Sequence, residues 1–224
     1  MKAMILAAGR GERMRPLTDS VPKPLLLVGG KPLIEHHIGA LVRAGIEELV
    51  INLSWHANEI RTLLGDGSQY GLKITYSDEG SEALETGGGI HKALPLLGSE
   101  PFWLVNGDVY SEFGYRLMCL DAGVLGHLVM VPNPAHHPAG DFCLAAGRVR
   151  RSGATTMTYS GLAVLHPDLF SDSRSGKFPL APLLVEAMRQ DAVTGEAYDG
   201  LWTDVGTPER LRQLDQLISD RQTD

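Results

Sequence analysis

The chain has 224 residues, 43% hydrophobic and 21% charged, with 20 basic against 27 acidic side chains and a formal charge of −7 at pH 7. That apolar fraction, without low-complexity tracts, excludes disorder as the main state, and a chain this long buries about 70% of its unfolded surface without disulfide staples. The acidic balance argues against a general binder of nucleic acid or anionic membranes, while Cys119 and Cys143, which show no CxxC spacing, give neither a zinc ribbon nor a disulfide framework and fit a reducing cytoplasm.

Residues 4–8 (MILAA) form a short apolar run that ends at glycine, the pattern of a buried parallel strand. The run is too short for a secretory signal, because Arg10, Glu12, Arg13 and Arg15 follow at once. No apolar stretch approaches the roughly 20 residues that span a bilayer. Residues 9–30 are rich in Gly, Pro and charge and read as one long loop, a length that usually serves function. From Pro32, the apolar residues Leu33, Ile34, Ile38, Leu41 and Val42 recur at helical spacing, and Gly45 stops the helix. Residues 49–53 are the next strand, and Ser54 is placed to cap a helix through about residue 64. A strand over 72–76, a helix from Gly87 through about Leu94 capped by Thr86, and a buried strand over 102–105 follow. This alternation is the signature of an α/β domain with a parallel sheet and right-handed crossovers.

Beyond Asp108 the alternation fades. Strands are expected at 126–131 and 159–165, short polar pieces across 132–155, a helix over 180–188 and a strand over 192–198. A helix over 208–218 closes the chain, with proline in its first turn. Neither a repeat nor a linker interrupts the sequence, so a single domain with an elaborated second half is expected.

Five motifs carry chemistry. Gly9-Arg10-Gly11-Glu12-Arg13-Met14-Arg15 follows the first strand, where small residues let backbone N–H groups approach an anion. It is not a dinucleotide fingerprint, because Met14 stands where the third glycine belongs, and neither Gly30-Lys31-Pro32 nor Gly176-Lys177-Phe178 completes a P-loop. A glycine loop with several cations suits a polyphosphate. Pro22-Lys23-Pro24-Leu25 holds one ammonium on a stiff backbone. Asn106-Gly107-Asp108 puts a carboxylate at the carboxyl end of a strand, where open α/β sheets bind ligands. Trp202-Thr203-Asp204-Val205-Gly206-Thr207-Pro208 supplies a second aspartate, and the two can share one Mg²⁺. Glu85-Thr86-Gly87-Gly88-Gly89 is costly at a helix start unless something approaches its backbone, a nucleobase edge being one candidate. In isolation each motif also fits an ordinary turn, a solvated charge or a helix-terminal acid. His36 and His37 lie about 100° apart on their helix and cannot chelate one metal together, and no GxSxG or Ser–His–Asp pattern is present.

Taken together, LAAGRGERMRPLT (residues 6–18), PKPL, ETGGGI, NGDV and WTDVGTPERL, in this order across nearly the whole chain, resemble the sugar-1-phosphate nucleotidylyltransferases. The resemblance implies a Rossmann-like α/β/α fold with a mixed, mostly parallel central sheet. It implies a nucleotide-binding half over 1–110 and a sugar-binding half over 111–224. It also implies synthesis of a nucleoside-diphosphate sugar and pyrophosphate with Mg²⁺ in the cytoplasm, without nucleic acid or membrane as partner. The motifs are most like those of members that join UTP to N-acetylmuramate 1-phosphate in peptidoglycan recycling. Mannose, glucose or glucosamine 1-phosphate, or a non-catalytic nucleotide-sugar sensor of the same fold, are the alternatives. By this likeness Gly9, Arg10, Gly11, Glu12 and Arg13 form the triphosphate loop and Lys23 contacts the phosphates. Asp108 and Asp204 hold the metal, Gly87 and Gly88 line the base pocket, and Asn106, Gly140 and Asp141 face the sugar. Two departures stand out: no Glu-Lys-Pro sugar motif occurs around 146–158, and no β-helix is expected after the last helix. Arg148, Arg150 and Arg151 are then the candidate cations for a lactyl carboxylate.

Overall fold

A computed structural model describes residues 1–223. Its strands are β1 (Ala3–Leu6), β2 (Leu27–Val28), β3 (Lys31–Pro32), β4 (Glu48–Leu53), β5 (Lys73–Asp78), β6 (Phe102–Asn106), β7 (Val109–Ser111), β8 (Gly126–Val131), β9 (Phe142–Ala145), β10 (Arg148–Arg150), β11 (Thr156–Leu165), β12 (Val193–Ala197) and β13 (Trp202–Asp204). Its helices are α1 (Leu33–Arg43), α2 (Ala57–Leu64), α3 (Glu85–Leu97), α4 (Ala181–Arg189) and α5 (Pro208–Thr223).

Nine strands make one mixed sheet in the order β5-β4-β1-β6-β11-β8-β12-β10-β9. The first half of the chain supplies an all-parallel run, with β1 between β4 and β6, and β8–β12 adds a further parallel pair. In the second half β11 runs antiparallel to both β6 and β8. Successive side chains of a strand point to opposite faces, and both faces here are covered. Ile5, Ile51 and Val105 pack with Ile34, Ile38 and Leu41 of α1 and Ile60 of α2. Met4, Val50 and Leu104 pack with Ile90 and Ala93 of α3 and Leu184 of α4. Burial on both sides is why these strands read as unbroken apolar runs.

The chain steps from β1 outward to β4 and β5, then returns past β1 to β6. Such a reversal opens a crevice outside the carboxyl ends of the central strands. Register puts Leu6 level with Asn52 on one side and Asn106 on the other, so two amides flank the end of β1.

Several local expectations shift. Residues 9–30 hold three 3-10 turns and the β2–β3 hairpin rather than plain loop. Met14 is fully buried with Val28, Leu33, Val205, Leu211 and Ile218, so this segment is pinned to α5 by its own small core. That is why the third glycine of a dinucleotide fingerprint has no place here: the residue is an anchor. Ser54 does not cap α2; its hydroxyl donates to the Gly80 carbonyl, and His56, at φ 53°, stands at the helix start. Thr86 lies inside α3, whose entry is held by the Leu84 N–H on the Glu79 carboxylate.

Candidate active site

A cleft of about 530 Å³ lies at the reversal point, within the usual range for small-molecule sites. One wall is the segment after β1, with Gly9, Arg10, Gly11, Glu12 and Arg13. Gly11, at φ 63°, starts a 3-10 turn whose Met14 N–H bonds to the Gly11 carbonyl at 2.8 Å, and the Thr18 hydroxyl donates to the same oxygen. The turn throws Glu12 and Arg13 outward while Met14 goes into the core. Arg13 lines the cleft and makes no ion pair with any described residue. Arg10 lies over the Trp55 ring, 5.5 Å from its centroid, and reaches the Ser81 carbonyl.

The opposite wall is the segment after β6. The Gly107 N–H donates to the Leu6 carbonyl at 2.9 Å, and any Cβ there would overlap that carbonyl oxygen. Glycine therefore lets β6 turn tightly against β1 and present Asp108 to the cleft. From the other side, the Lys23 ammonium donates to Asp108 Oδ2 at 2.8 Å. The lysine side chain is 9% exposed and the aspartate 44%. Prolines on both sides of Lys23 hold it in a 3-10 turn that packs on α1.

The second aspartate arrives through the short β7–β13 ladder, in which Asp204 pairs with Val109 and the Val205 N–H donates to the Asp108 carbonyl at 2.8 Å. Backbone pairing thus makes Asp108 and Asp204 neighbours although 96 residues separate them (204 − 108). Asp204 itself is not in the cleft lining; Gly206, two residues on, is.

The cleft floor holds two residues that no motif signalled. Asn52 donates to Glu79 Oε1 at 2.6 Å and accepts from the Ala7 N–H at 2.8 Å, and Glu79 Oε2 accepts from the Leu84 N–H at 2.7 Å. This buried network ties the phosphate-side loop, β4 and the start of α3 together. The one visible clue was Asn52 itself, a polar residue at the end of an apolar strand. Below Asp108, His37 is fully buried and held to Val109 O by Nε2 at 2.7 Å. A carbonyl only accepts, so the proton sits on Nε2, and Nδ1 faces the Tyr115 hydroxyl at 3.3 Å. Burial pushes its pKa down to about 4, so the ring stays neutral.

The expected residues therefore divide. Gly9, Arg10, Gly11, Glu12, Arg13, Lys23, Asn106 and Asp108 share the cleft lining, and Asp204 adjoins it. Gly87 and Gly88 do not line it: their missing side chains make room for Phe178 and for the Gly176 carbonyl, which pack on α3. The first two glycines serve a close helix–chain contact, and the third, Gly89, leaves room for the Glu79 carboxylate and the Asn52 amide. Gly140 and Asp141 also stand outside this lining, in the loop between β8 and β9, where Asp141 accepts from the Tyr159 N–H and contacts His137. Arg148 and Arg150 face Asp191 at the far end of the sheet, Arg150 at 2.9 Å, and are no part of the cleft.

The donor set suits a hard divalent cation. Lining cations are Arg10, Arg13 and Lys23, against the carboxylates Glu12, Glu79, Glu85 and Asp108, so the cleft does not by itself neutralise a triphosphate. Among the described residues no group of three or more His, Cys, Asp and Glu side chains is arranged to hold a metal alone. Two carboxylates completed by phosphate oxygens and water is the arrangement that Mg²⁺ accepts. Among the described residues no helix is long and apolar enough to cross a membrane.

The sequence profile of the nucleotidyl transferase family matches residues 2–142. The chain is 49% identical to N-acetylmuramate alpha-1-phosphate uridylyltransferase of Neisseria meningitidis serogroup B, covering 97% of this chain and 98% of that protein. A Caulobacter vibrioides protein of the same name is 37% identical, covering 92% of each chain. Mannose-1-phosphate guanyltransferase beta-A of Xenopus laevis is 30% identical over 93% of this chain but only 62% of its own length. In structure, a Bacillus anthracis protein assigned as a glucose-1-phosphate thymidylyltransferase superposes with a TM-score of 0.85 over 98% of this chain and 96% of its own, at 20% identity.

Proposed function

The chain belongs to the nucleotidyl transferase family, and from that premise we propose that it transfers a uridylyl group from UTP to N-acetylmuramate 1-phosphate. The products are UDP-N-acetylmuramate and pyrophosphate. The observation that carries the choice of substrates is the near-full-length identity to the Neisseria uridylyltransferase. An anion loop, a buried lysine and Asp108 at one sheet crevice, with Asp204 adjoining it, support the reaction type.

An oxygen of the sugar phosphate attacks the α-phosphorus of UTP, forming a new P–O bond. The bond from that phosphorus to the α,β-bridging oxygen breaks, and pyrophosphate leaves with the electron pair. The nucleophile is already anionic, so the protein needs no general base. Its task is positioning and charge stabilisation. Backbone N–H groups of residues 9–13 and the unpaired Arg13 hold the β- and γ-phosphates, and Arg13 steadies the charge that develops on pyrophosphate. Lys23 leaves Asp108 for the phosphates and holds nucleophile and α-phosphate together. Asp108 and Asp204 are the residues that would hold Mg²⁺, which when bound would supply a compact positive charge against the phosphates. Asn106 and the loop with Gly140 and Asp141 serve the sugar side. The setting is cytoplasmic recycling of cell-wall muramate.

Pyrophosphate release with Mg²⁺, across four nucleoside triphosphates and a panel of sugar 1-phosphates, tests the reading. Release with UTP and N-acetylmuramate 1-phosphate alone is the expected result. Preferred release with another pair would discard the substrate assignment while keeping the reaction class.

A further inference from the structure

Asp204 is tied down by groups that the local chain would otherwise avoid. Arg210 Nη1 donates to Asp204 Oδ1 at 2.8 Å, and His136 Nε2 lies against both partners, contacting that oxygen at 2.9 Å and Arg210 Nη1 as well. Arg210 sits in the first turn of α5, where the helix dipole disfavours a cation. Its side chain is only 17% exposed, and its Nε is buried with no partner among the described residues. A Cβ on Gly206 would overlap Arg210 Nη2, so the guanidinium occupies the space that glycine leaves open. A cation at a helix start, an unsatisfied buried donor and a glycine beside it are each locally unfavourable. Their common product is a fixed carboxylate.

We propose that Arg210 is a positioning residue for the Asp204 carboxylate, with Gly206 leaving it space and His136 packed against the pair. The clamp takes Oδ1. It leaves Oδ2 beside Gly206, which lines the cleft, about where Gly206 would carry a side chain (2.9 Å from an ideal Cβ). Asp204 stands on a three-residue strand and is 25% exposed, so the clamp is what fixes which way its carboxylate faces. The unit Asp204-x-Gly206-x-x-x-Arg210 is thus one device, in which the Thr207 hydroxyl, accepting from the Arg210 N–H, fixes the turn between its parts. His136 comes from the β8–β9 loop that also holds Gly140 and Asp141, so the clamp ties the proposed sugar-side loop to the second aspartate.

The inference rests on the reading of Asp204 as a metal carboxylate, and its test separates the two. The readout is binding of Mn²⁺, followed by electron paramagnetic resonance, to protein holding α,β-methylene-UTP, with no turnover involved. Asp204→Asn weakens Mn²⁺ binding if that reading is right; unchanged binding overturns both it and the clamp. Given a weakened Asp204→Asn, Arg210→Gln is expected to weaken Mn²⁺ binding about 10- to 100-fold, as loss of an outer-shell partner does. Arg210→Lys recovers part of it, and Gly206→Ala follows Arg210→Gln. If Gly206→Ala does not fold, the two Arg210 variants decide. Unchanged or tighter Mn²⁺ binding by Arg210→Gln would overturn the clamp while leaving Asp204 a ligand.

Discussion

Replacing Lys23 by Met separates chemistry from stability. Methionine keeps most of the buried stem and removes the ammonium that meets Asp108 at 2.8 Å. Asp108 is 44% exposed, so water takes over its solvation when the pair is lost. A pair with one partner that wet is worth about 1 kcal/mol or less. For a chain of this size that is a fall of about 2–4 °C in Tm. The effect on turnover is of another order. Among the described residues the lysine is the only cation that bonds to Asp108, and it reaches across from beside Gly11, on the side of the phosphate loop. Without it the nucleophile and α-phosphate lose their shared positive partner, while the Asp108 charge stays. A loss of at least about 100-fold in kcat/KM is expected, equal to about 2.7 kcal/mol of barrier. Coupled pyrophosphate detection and thermal unfolding on the same preparation give both numbers. A folded Lys23→Met variant within tenfold of the parent would refute the reasoning and leave Lys23 a structural partner of Asp108.

Three further outcomes follow from the packing. Gly88→Ala puts a methyl group onto the Gly176 carbonyl and should cost about 1–3 kcal/mol in urea unfolding, with the KM for UTP within threefold of the parent; a raised KM at unchanged stability would return Gly88 to the base pocket. Met14→Ala empties the centre of the small core that pins residues 9–30 to α5, so about 2–5 kcal/mol of stability should be lost and the KM for UTP should rise; an unaffected KM would mean that the phosphate loop does not depend on this anchor. His37, neutral in the fold with its pKa near 4 against 6.5 in the open chain, is protonated more readily when unfolded, so its contribution is complete above pH 6.5 and is lost as pH falls towards 4. Between pH 7 and pH 4.5 the parent should lose about 2–3 kcal/mol more than His37→Gln, and parallel curves for the two proteins would contradict the neutral ring.

The first half of the fold was open to reading because burial on both sheet faces leaves unbroken apolar strands between amphipathic helices. Residues 126–131 could be read for the same reason. The strands β7 and β13 were hidden: three residues each, with too little pattern to show a period, yet they bring Asp204 to Asp108. Spacing named both aspartates but not the ladder that joins them. At Gly87 and Gly88 the physical inference was that something approaches the backbone, and the structure shows one such neighbour, the segment 176–178, about 90 residues further on (178 − 88), which leaves no local sign. Asn52 and Glu79 were missed because their roles come from hydrogen bonds between β4, the end of β5 and α3, which only the assembled sheet brings together. Arg148 and Arg150 looked free in the sequence because Asp191, their partner, comes from the turn before β12.

Position-labelled UTP tests the central claim most directly. The protein is incubated with Mg²⁺, N-acetylmuramate 1-phosphate and UTP carrying ³²P at either the α- or the γ-phosphate, and the products are separated. Attack at the α-phosphorus sends the α-label into UDP-N-acetylmuramate and the γ-label into pyrophosphate. Label from the γ-position in the sugar product, α-label released as UMP, or no transfer at all with a folded, UTP-binding protein would contradict the account.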